Sequence, residues 1–236
     1  MKFESELCAG CGNCWLICPV QAIEYKEERV IIDWDKCVEC HNCVRSGVCP
    51  AEAFAFSSPP WPRTLRATFS DPFFRHESTQ HLGRGTEEVK TNDVTHLLTE
   101  GYVGLAIEAG RPGIGATFAD VEIITKALAS FPVRYPAKTP ISALIHDEKT
   151  GELRPEILWE RVLSVIVECL LPATHLYPVL EAVQEAAAKV RTTVYSIGVF
   201  ALAGEVDFAH QSPLGYQVSP AGKNNLVMGR SMGGEP

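Results

Sequence analysis

Cys8-Ala9-Gly10-Cys11-Gly12-Asn13-Cys14-Trp15-Leu16-Ile17-Cys18-Pro19 is the stretch on which the reading of this chain turns, and Cys37-Val38-Glu39-Cys40-His41-Asn42-Cys43, followed by Cys49-Pro50, echoes it. Each run holds three cysteines at two-residue gaps, then a fourth that precedes proline. Eight of the nine cysteines therefore lie between residues 8 and 49. A disulfide framework would suit an exported peptide, but Met1-Lys2-Phe3-Glu4-Ser5-Glu6 carries acids where an export signal needs a basic start and an apolar stretch. Metal ligation is the stronger reading. Zinc sites use pairs of ligands across a long gap, whereas cysteines at i, i+3 and i+6 on a turning loop reach three corners of an iron–sulfur cube and leave the fourth to a distant thiolate. The prolines end each local turn and have no N–H to place. The spacing thus predicts two 4Fe-4S clusters.

With these cysteines and the repeated Cys-Pro-x-x-Ala (Pro19, Val20, Gln21, Ala22; Pro50, Ala51, Glu52, Ala53), residues 1–57 resemble a bacterial-type ferredoxin with two 4Fe-4S clusters. The resemblance implies cross-ligation, in which the fourth cysteine of each run serves the other cluster. Cluster 1 would then be held by Cys8, Cys11, Cys14 and Cys49, and cluster 2 by Cys37, Cys40, Cys43 and Cys18. It also implies two halves related by a pseudo-two-fold axis, each with a hairpin and a helical turn. Residues 22–25 and 29–33 read as one β-pair. One departure stands out, because the step from Cys43 to Cys49 is two residues longer than that from Cys14 to Cys18. Val44, Arg45, Ser46, Gly47 and Val48 are expected to enlarge the loop beside cluster 2 and so to separate the two potentials. Clusters staple a small domain whose own core is weak, and two adjacent redox centres also make an electron relay.

Composition narrows the remainder. The chain has 236 residues, 46% hydrophobic and 21% charged, which excludes disorder and collagen-like architecture. No apolar run reaches the roughly 18 residues of a membrane span, and the expected location is the cytoplasm. A net charge of −8, from 21 Lys+Arg against 29 Asp+Glu, disfavours nucleic acid as a partner. Ser57-Ser58-Pro59-Pro60-Trp61-Pro62 reads as a linker. Residues 63–100 show no sustained period, yet hold Arg63, Arg66, Arg75, Arg84, Lys90, His76, His81 and His96; together 58–100 reads as a linker and extended arm, lying on a partner or forming an irregular surface loop.

From Gly101 the patterns become regular. A strand is expected over 102–108, a helix over 118–131 capped by Thr117 with Asp120 in the capping position, and a strand over 141–146. A helix over 155–171 would start at Pro155 and close at Pro172, followed by a helix over 176–191 and a buried strand over 192–203. Cys169 reads as a small core hydrophobe. Residues 221–236 read as a mobile tail. The predicted fold class is α+β: a small two-cluster ferredoxin module at 1–57, then an α/β sandwich domain at 101–220 whose sheet carries helices on one face. Gly110 to Thr117 joins a strand to a helix start, where backbone N–H groups either bind an anion or simply pack tightly.

Residues 83–131 are similar to a region of iron–sulfur reductases of the 6-hydroxynicotinate reductase type, through Gly83-Arg84-Gly85-Thr86-Glu87-Glu88-Val89-Lys90-Thr91-Asn92-Asp93-Val94-Thr95 and the later Gly110-Arg111-Pro112-Gly113. That similarity implies a reductase acting on an activated ring or unsaturated acid. No catalytic residue and no flavin-binding segment can be identified. The resulting expectation is an electron-transfer protein, a component of a larger oxidoreductase complex, with residues 64–236 supplying docking or ligand-binding surface. Its rivals are a self-contained reductase and a redox-sensing, ligand-binding regulator. Residues 1–57 carry nine acidic against five basic side chains, which suits a basic redox partner protein.

Overall fold

The computed structural model describes residues 1–76, 80, 82, 98–110, 113–137, 139–190, 193, 195–201 and 224–228. The cysteine-rich part is built from short pieces, because its chain must keep turning back on itself. Strand β1 (Lys2–Phe3) precedes the first cysteine run, and the hairpin β2 (Ile23–Lys26) and β3 (Arg29–Ile32) follows it. Helix α1 (Asn42–Arg45) lies within the second run, and β4 (Phe54–Ala55) pairs antiparallel with β1. The expected β-pair is present, with Ile23 opposite Ile32. Met1, Cys14, Val20, Ala22, Ile23, Cys37, Val38 and Phe54 form its small core.

Helix α2 (Thr64–Ser70) comes next. It corrects the expectation of an arm without helical period. Two turns are too short for periodicity to register in sequence, yet Leu65 and Phe69, one turn apart, both enter the larger core. The 83–94 motif, His81 and His96 lie outside the described residues.

The second part is organised on a four-stranded sheet. Its elements are β5 (Tyr102–Ala109), β6 (Ala116–Thr117), α3 (Phe118–Leu128), β7 (Ile145–Asp147), β8 (Glu152–Leu153), β9 (Arg161–Val162), β10 (Val165–Pro172), α4 (Leu176–Ala187), β11 (Tyr195–Phe200) and β12 (Asn224–Met228). The sheet order is β10-β5-β11-β12, each neighbouring pair antiparallel. Register explains the core: Leu105 faces Cys169 and Val199, and Ile107 faces Val167 and Ile197. Because strand side chains alternate, these residues share one face, and all are buried. Phe118, Val121, Ile124 and Leu128 of α3 and Leu176, Val179, Leu180 and Val183 of α4 join the same core. Burying each such large side chain is worth about 1.5–3 kcal/mol. Burial also pushes the Cys169 thiol up to about 12, so it stays uncharged.

The expected helix over 155–171 is not there. Pro155–Ile157 is a single 3-10 turn, and the apolar run becomes β9 and β10. A segment apolar on all sides suits a strand buried on both faces as well as a buried helix, and the β-branched Val165, Ile166 and Val167 favour the strand. Within the strand expected at 141–146, Ser142–Leu144 is a 3-10 turn and pairing starts at Ile145. Within the segment read as a tail, Asn224–Met228 pairs with β11. Among the described residues no helix is long and apolar enough to cross a membrane.

The capping of α3 matches its sequence signature. The Thr117 hydroxyl accepts from the Asp120 N–H at 3.2 Å, and the Asp120 carboxylate accepts from the Thr117 N–H at 3.3 Å. Replacing Thr117 by Ala should lower the unfolding free energy by about 1 kcal/mol, read by denaturant titration, while Thr117→Ser should retain most of the stability. An unchanged midpoint in the alanine variant would show that the cap contributes nothing.

Candidate metal centre

The two Cys-Pro-x-x-Ala motifs adopt one conformation twice. The carbonyl of Cys18 accepts from the Gln21 N–H at 3.3 Å, and that of Cys49 from the Glu52 N–H at 3.1 Å. Gln21 and Glu52 then take left-handed backbone, with φ of 54° and 50°. This turn brings the Ala22 N–H to the Cys18 sulfur at 3.2 Å and the Ala53 N–H to the Cys49 sulfur at 3.3 Å. Ala22 and Ala53 are buried, so the small side chain is required where the turn closes. Each bond places a positive N–H end against the sulfur, which favours the thiolate form that an iron site requires.

The turns carry Cys18 and Cys49 away from their own runs. Cys18 lines a hollow of about 380 Å³, measured outside the protein atoms with its mouth included, together with Cys37, Cys40 and Cys43. The thiols that act electrostatically on Cys14 are those of Cys8, Cys49 and Cys11. Three cysteines of one run thus gather with one of the other, twice. Burial, reinforced by neighbouring thiols, pushes Cys14 and Cys40 up to about 11 and Cys43 up to about 12, and burial raises Cys37 as well. Thiols in such a setting hold their protons unless a cation compensates the charge, which iron does. Among the described residues no three His, Cys, Asp or Glu side chains close on one point, as a single metal ion requires. A cube whose four corner irons each take one thiolate fits a wider ring of cysteines.

The loop geometry needs Gly10 between the first two cysteines. Its φ is +64°, and a Cβ there would stand 2.2 Å from the carbonyl oxygen of Glu28 at the hairpin turn. The hairpin is thereby laid directly on the first cysteine loop. In the second run the two additional residues do not form slack loop, because Asn42–Arg45 is helical and Ser46 caps it. That turn places Arg45 against the Asp71 carboxylate at 2.5 Å and over the rings of Phe56 and Phe73. Asp71 also binds His41 Nδ1 at 2.9 Å.

Sequence reasoning missed the residues that brace this centre. Glu39, fully buried between Cys37 and Cys40, is bound by the Met1 amino nitrogen and by Arg63 Nε. Arg66 donates to the carbonyls of Trp34, Asp35 and Cys37 at 2.9, 3.1 and 2.7 Å, and to Glu160 at 2.5 Å. Arg63 and Arg66 fall in the segment read as an arm on a partner or an irregular surface loop, and both bind this chain's own cysteine loop and its approach. A basic pair following an acidic module was the available signal.

A family model described as a 4Fe-4S dicluster domain matches residues 1–50. Ferredoxin-1 of Rhodobacter capsulatus is 45% identical over 42 residues, 18% of this chain, and the chain spans 65% of that relative's length. A ferredoxin of Pyrobaculum islandicum is 36% identical over 56 residues, 23% of this chain and 50% of the relative. A ferredoxin-like protein in the nif region of Sinorhizobium fredii is 40% identical over 53 residues, 21% of this chain and 83% of the relative. No solved structure matches the chain. Through its first 50 residues the chain belongs to the 4Fe-4S dicluster ferredoxins, whose cofactors are two 4Fe-4S clusters.

Proposed function

We propose that this chain is an electron-transfer component of a larger oxidoreductase, with Cys8, Cys11, Cys14 and Cys49 holding one 4Fe-4S cluster and Cys37, Cys40, Cys43 and Cys18 the other. The single observation that carries the ligand sets is the hollow ringed by Cys18 from the first run and Cys37, Cys40 and Cys43 from the second. When bound, each cluster supplies one-electron chemistry. The protein's part is to hold the thiolates, to set N–H groups against Cys18 and Cys49, and to exclude water with Val20, Ile23 and Val38. Arg45, Arg63 and Arg66 lie around the second run, and none lies within the first, so the two clusters meet unequal fields.

In this reading 1–57 is the ferredoxin module, 58–100 a linker and extended arm, and 101–220 the α/β sandwich domain with α3 and α4 on one sheet face. The second domain supplies a surface for the redox partner or for a ligand. Its supports are the acidic module, which suits a basic partner, and the aromatic and aliphatic side chains left exposed there, Trp15, Leu16 and Phe56 among them. Thiolate-held clusters fit the reducing cytoplasm.

Anaerobically purified protein should contain about eight iron and eight acid-labile sulfide per chain; four of each, or zinc, would remove the assignment. Cys18→Ala should deplete the cluster held with Cys37, Cys40 and Cys43, distinguishable by electron paramagnetic resonance. Loss confined to the other cluster would refute the crossed ligand sets. Arg66→Met strands three carbonyls and the part-buried Glu160 carboxylate, so it should cost about 3 kcal/mol in chemical unfolding and release iron from the Cys37 side first. Wild-type stability together with wild-type iron content would show that Arg66 braces nothing.

A further inference from the structure

A cleft of about 720 Å³, again measured outside the protein atoms, opens where the cysteine loops meet the glycine-rich turn before β6. Trp15, Val20, Gly113 and Ile114 line it together with the charged side chains of Lys36, Arg161 and Glu24. Trp15 follows Cys14, and Val20 lies two residues after Cys18, so the cleft borders the first cysteine run, while Lys36 immediately precedes Cys37 of the second.

The charges around the cleft are not balanced. Lys36 is paired with Asp33 at 3.0 Å, and Glu24 with Lys26 at 2.5 Å. Among the described residues Arg161 has no carboxylate; its guanidinium donates to the Ile114 carbonyl at 3.0 Å and keeps further N–H groups available. Asp33 holds Lys36 above its ordinary value, and Arg161 works against that, so the two cations stand within range of mutual repulsion. Like charges that converge on an open polar cleft are relieved by an incoming anion. The apolar neighbours are also unspent, since Trp15 is 48% and Ile114 39% exposed.

The cleft wall is held in place without any ligand. The Gly113 N–H donates to the Pro19 carbonyl, and the Gly115 carbonyl accepts from the Thr193 hydroxyl at 2.7 Å. Gly115 has φ +70°, and a Cβ there would meet the Val162 carbonyl oxygen at 2.8 Å and Arg161 Nε at 3.4 Å. Glycine therefore lets the turn close on β9 while leaving the guanidinium uncrowded. Little ordering remains to be done on binding.

We propose that this cleft binds a small amphipathic anion, its charged head on the Arg161 guanidinium and its apolar body between Trp15 and Ile114. The head is a carboxylate or a phosphate, both of which match the planar fork of arginine. The site is independent of the ligand sets proposed for the clusters, because binding can be read without any electron transfer.

The test is anaerobic titration calorimetry on the cluster-loaded full chain with hexanoate, hexyl phosphate, inorganic phosphate and hexanol. Hexanoate or hexyl phosphate should bind saturably and more tightly than inorganic phosphate or hexanol, and whichever is tighter identifies the head. Arg161→Met should weaken that binding at least about tenfold, the loss of one charge-assisted contact. Ile114→Glu, at an exposed position, places a carboxylate beside the head and should weaken it similarly; it alone decides if Arg161→Met does not fold. Absence of saturable binding by either amphipathic probe, or unchanged affinity in either folded variant, would overturn the proposal. Iron and sulfide content, measured on the same samples, separates this outcome from a failure of the cluster assignment.

Discussion

One guanidinium joins the parts of this molecule. Arg66 sits on a two-turn helix whose Leu65 and Phe69 are part of the large core. From there it reaches the carbonyls of Trp34, Asp35 and Cys37 and the carboxylate of Glu160. Those carbonyls belong to the approach to the second cysteine run, where the backbone has little regular structure to satisfy it. A planar cation with five donors satisfies several of them at once, which an ammonium cannot do with the same directional fit. Buried ion pairs contribute little net stability, but breaking one partner is costly, so the arrangement fixes register between the two parts. Leu163, adjacent to β9, packs on the small core, and its N–H donates to the Ser70 hydroxyl at 2.8 Å, so β9, α2 and the cysteine loops meet at one place.

Around that joint the cysteine module uses repetition economically. The same turn, with the same left-handed third residue and the same N–H to sulfur bond, occurs after Cys18 and after Cys49. The halves then diverge. The longer second run forms α1 and sends Arg45 to Asp71, which in turn holds His41. An insertion that lengthens a loop in sequence has become a helical turn with an anchored cation. The second run therefore carries an anchored cation that the first run has no counterpart for, and charge and hydrogen bonds near the sulfurs are the quantities that tune a cluster.

The cysteine spacing was legible because ligation acts over a few residues: three thiols must present themselves from one turning loop, and only certain gaps allow it. The Thr117–Asp120 cap and the amphipathic face of α3 were legible for the same reason, being local hydrogen bonds and a local period. Val165–Pro172 was not. Its residues are apolar in every direction, so they carry no period, and only pairing with β5 and burial on both faces decide for a strand. Helix α2 was hidden by its shortness and by the fact that its stabilisation comes from contacts with distant segments, residues 34–37 before it and 160–163 after it.

By itself, then, the amino-acid sequence determined the number and kind of cysteine runs, the hairpin beside them, the dicluster character of the first 50 residues and the capped helix α3, all of which follow from interactions between residues near one another along the chain. Only the tertiary structure decided that Cys18 gathers with Cys37, Cys40 and Cys43, that Arg63 and Arg66 turn inward to Glu39 and Glu160, and that Arg161 and Trp15 line one cleft. Each of these joins residues from different segments, several separated by scores of positions. The free energy of such contacts depends on burial and on the geometry of the partner, neither of which any window of sequence contains.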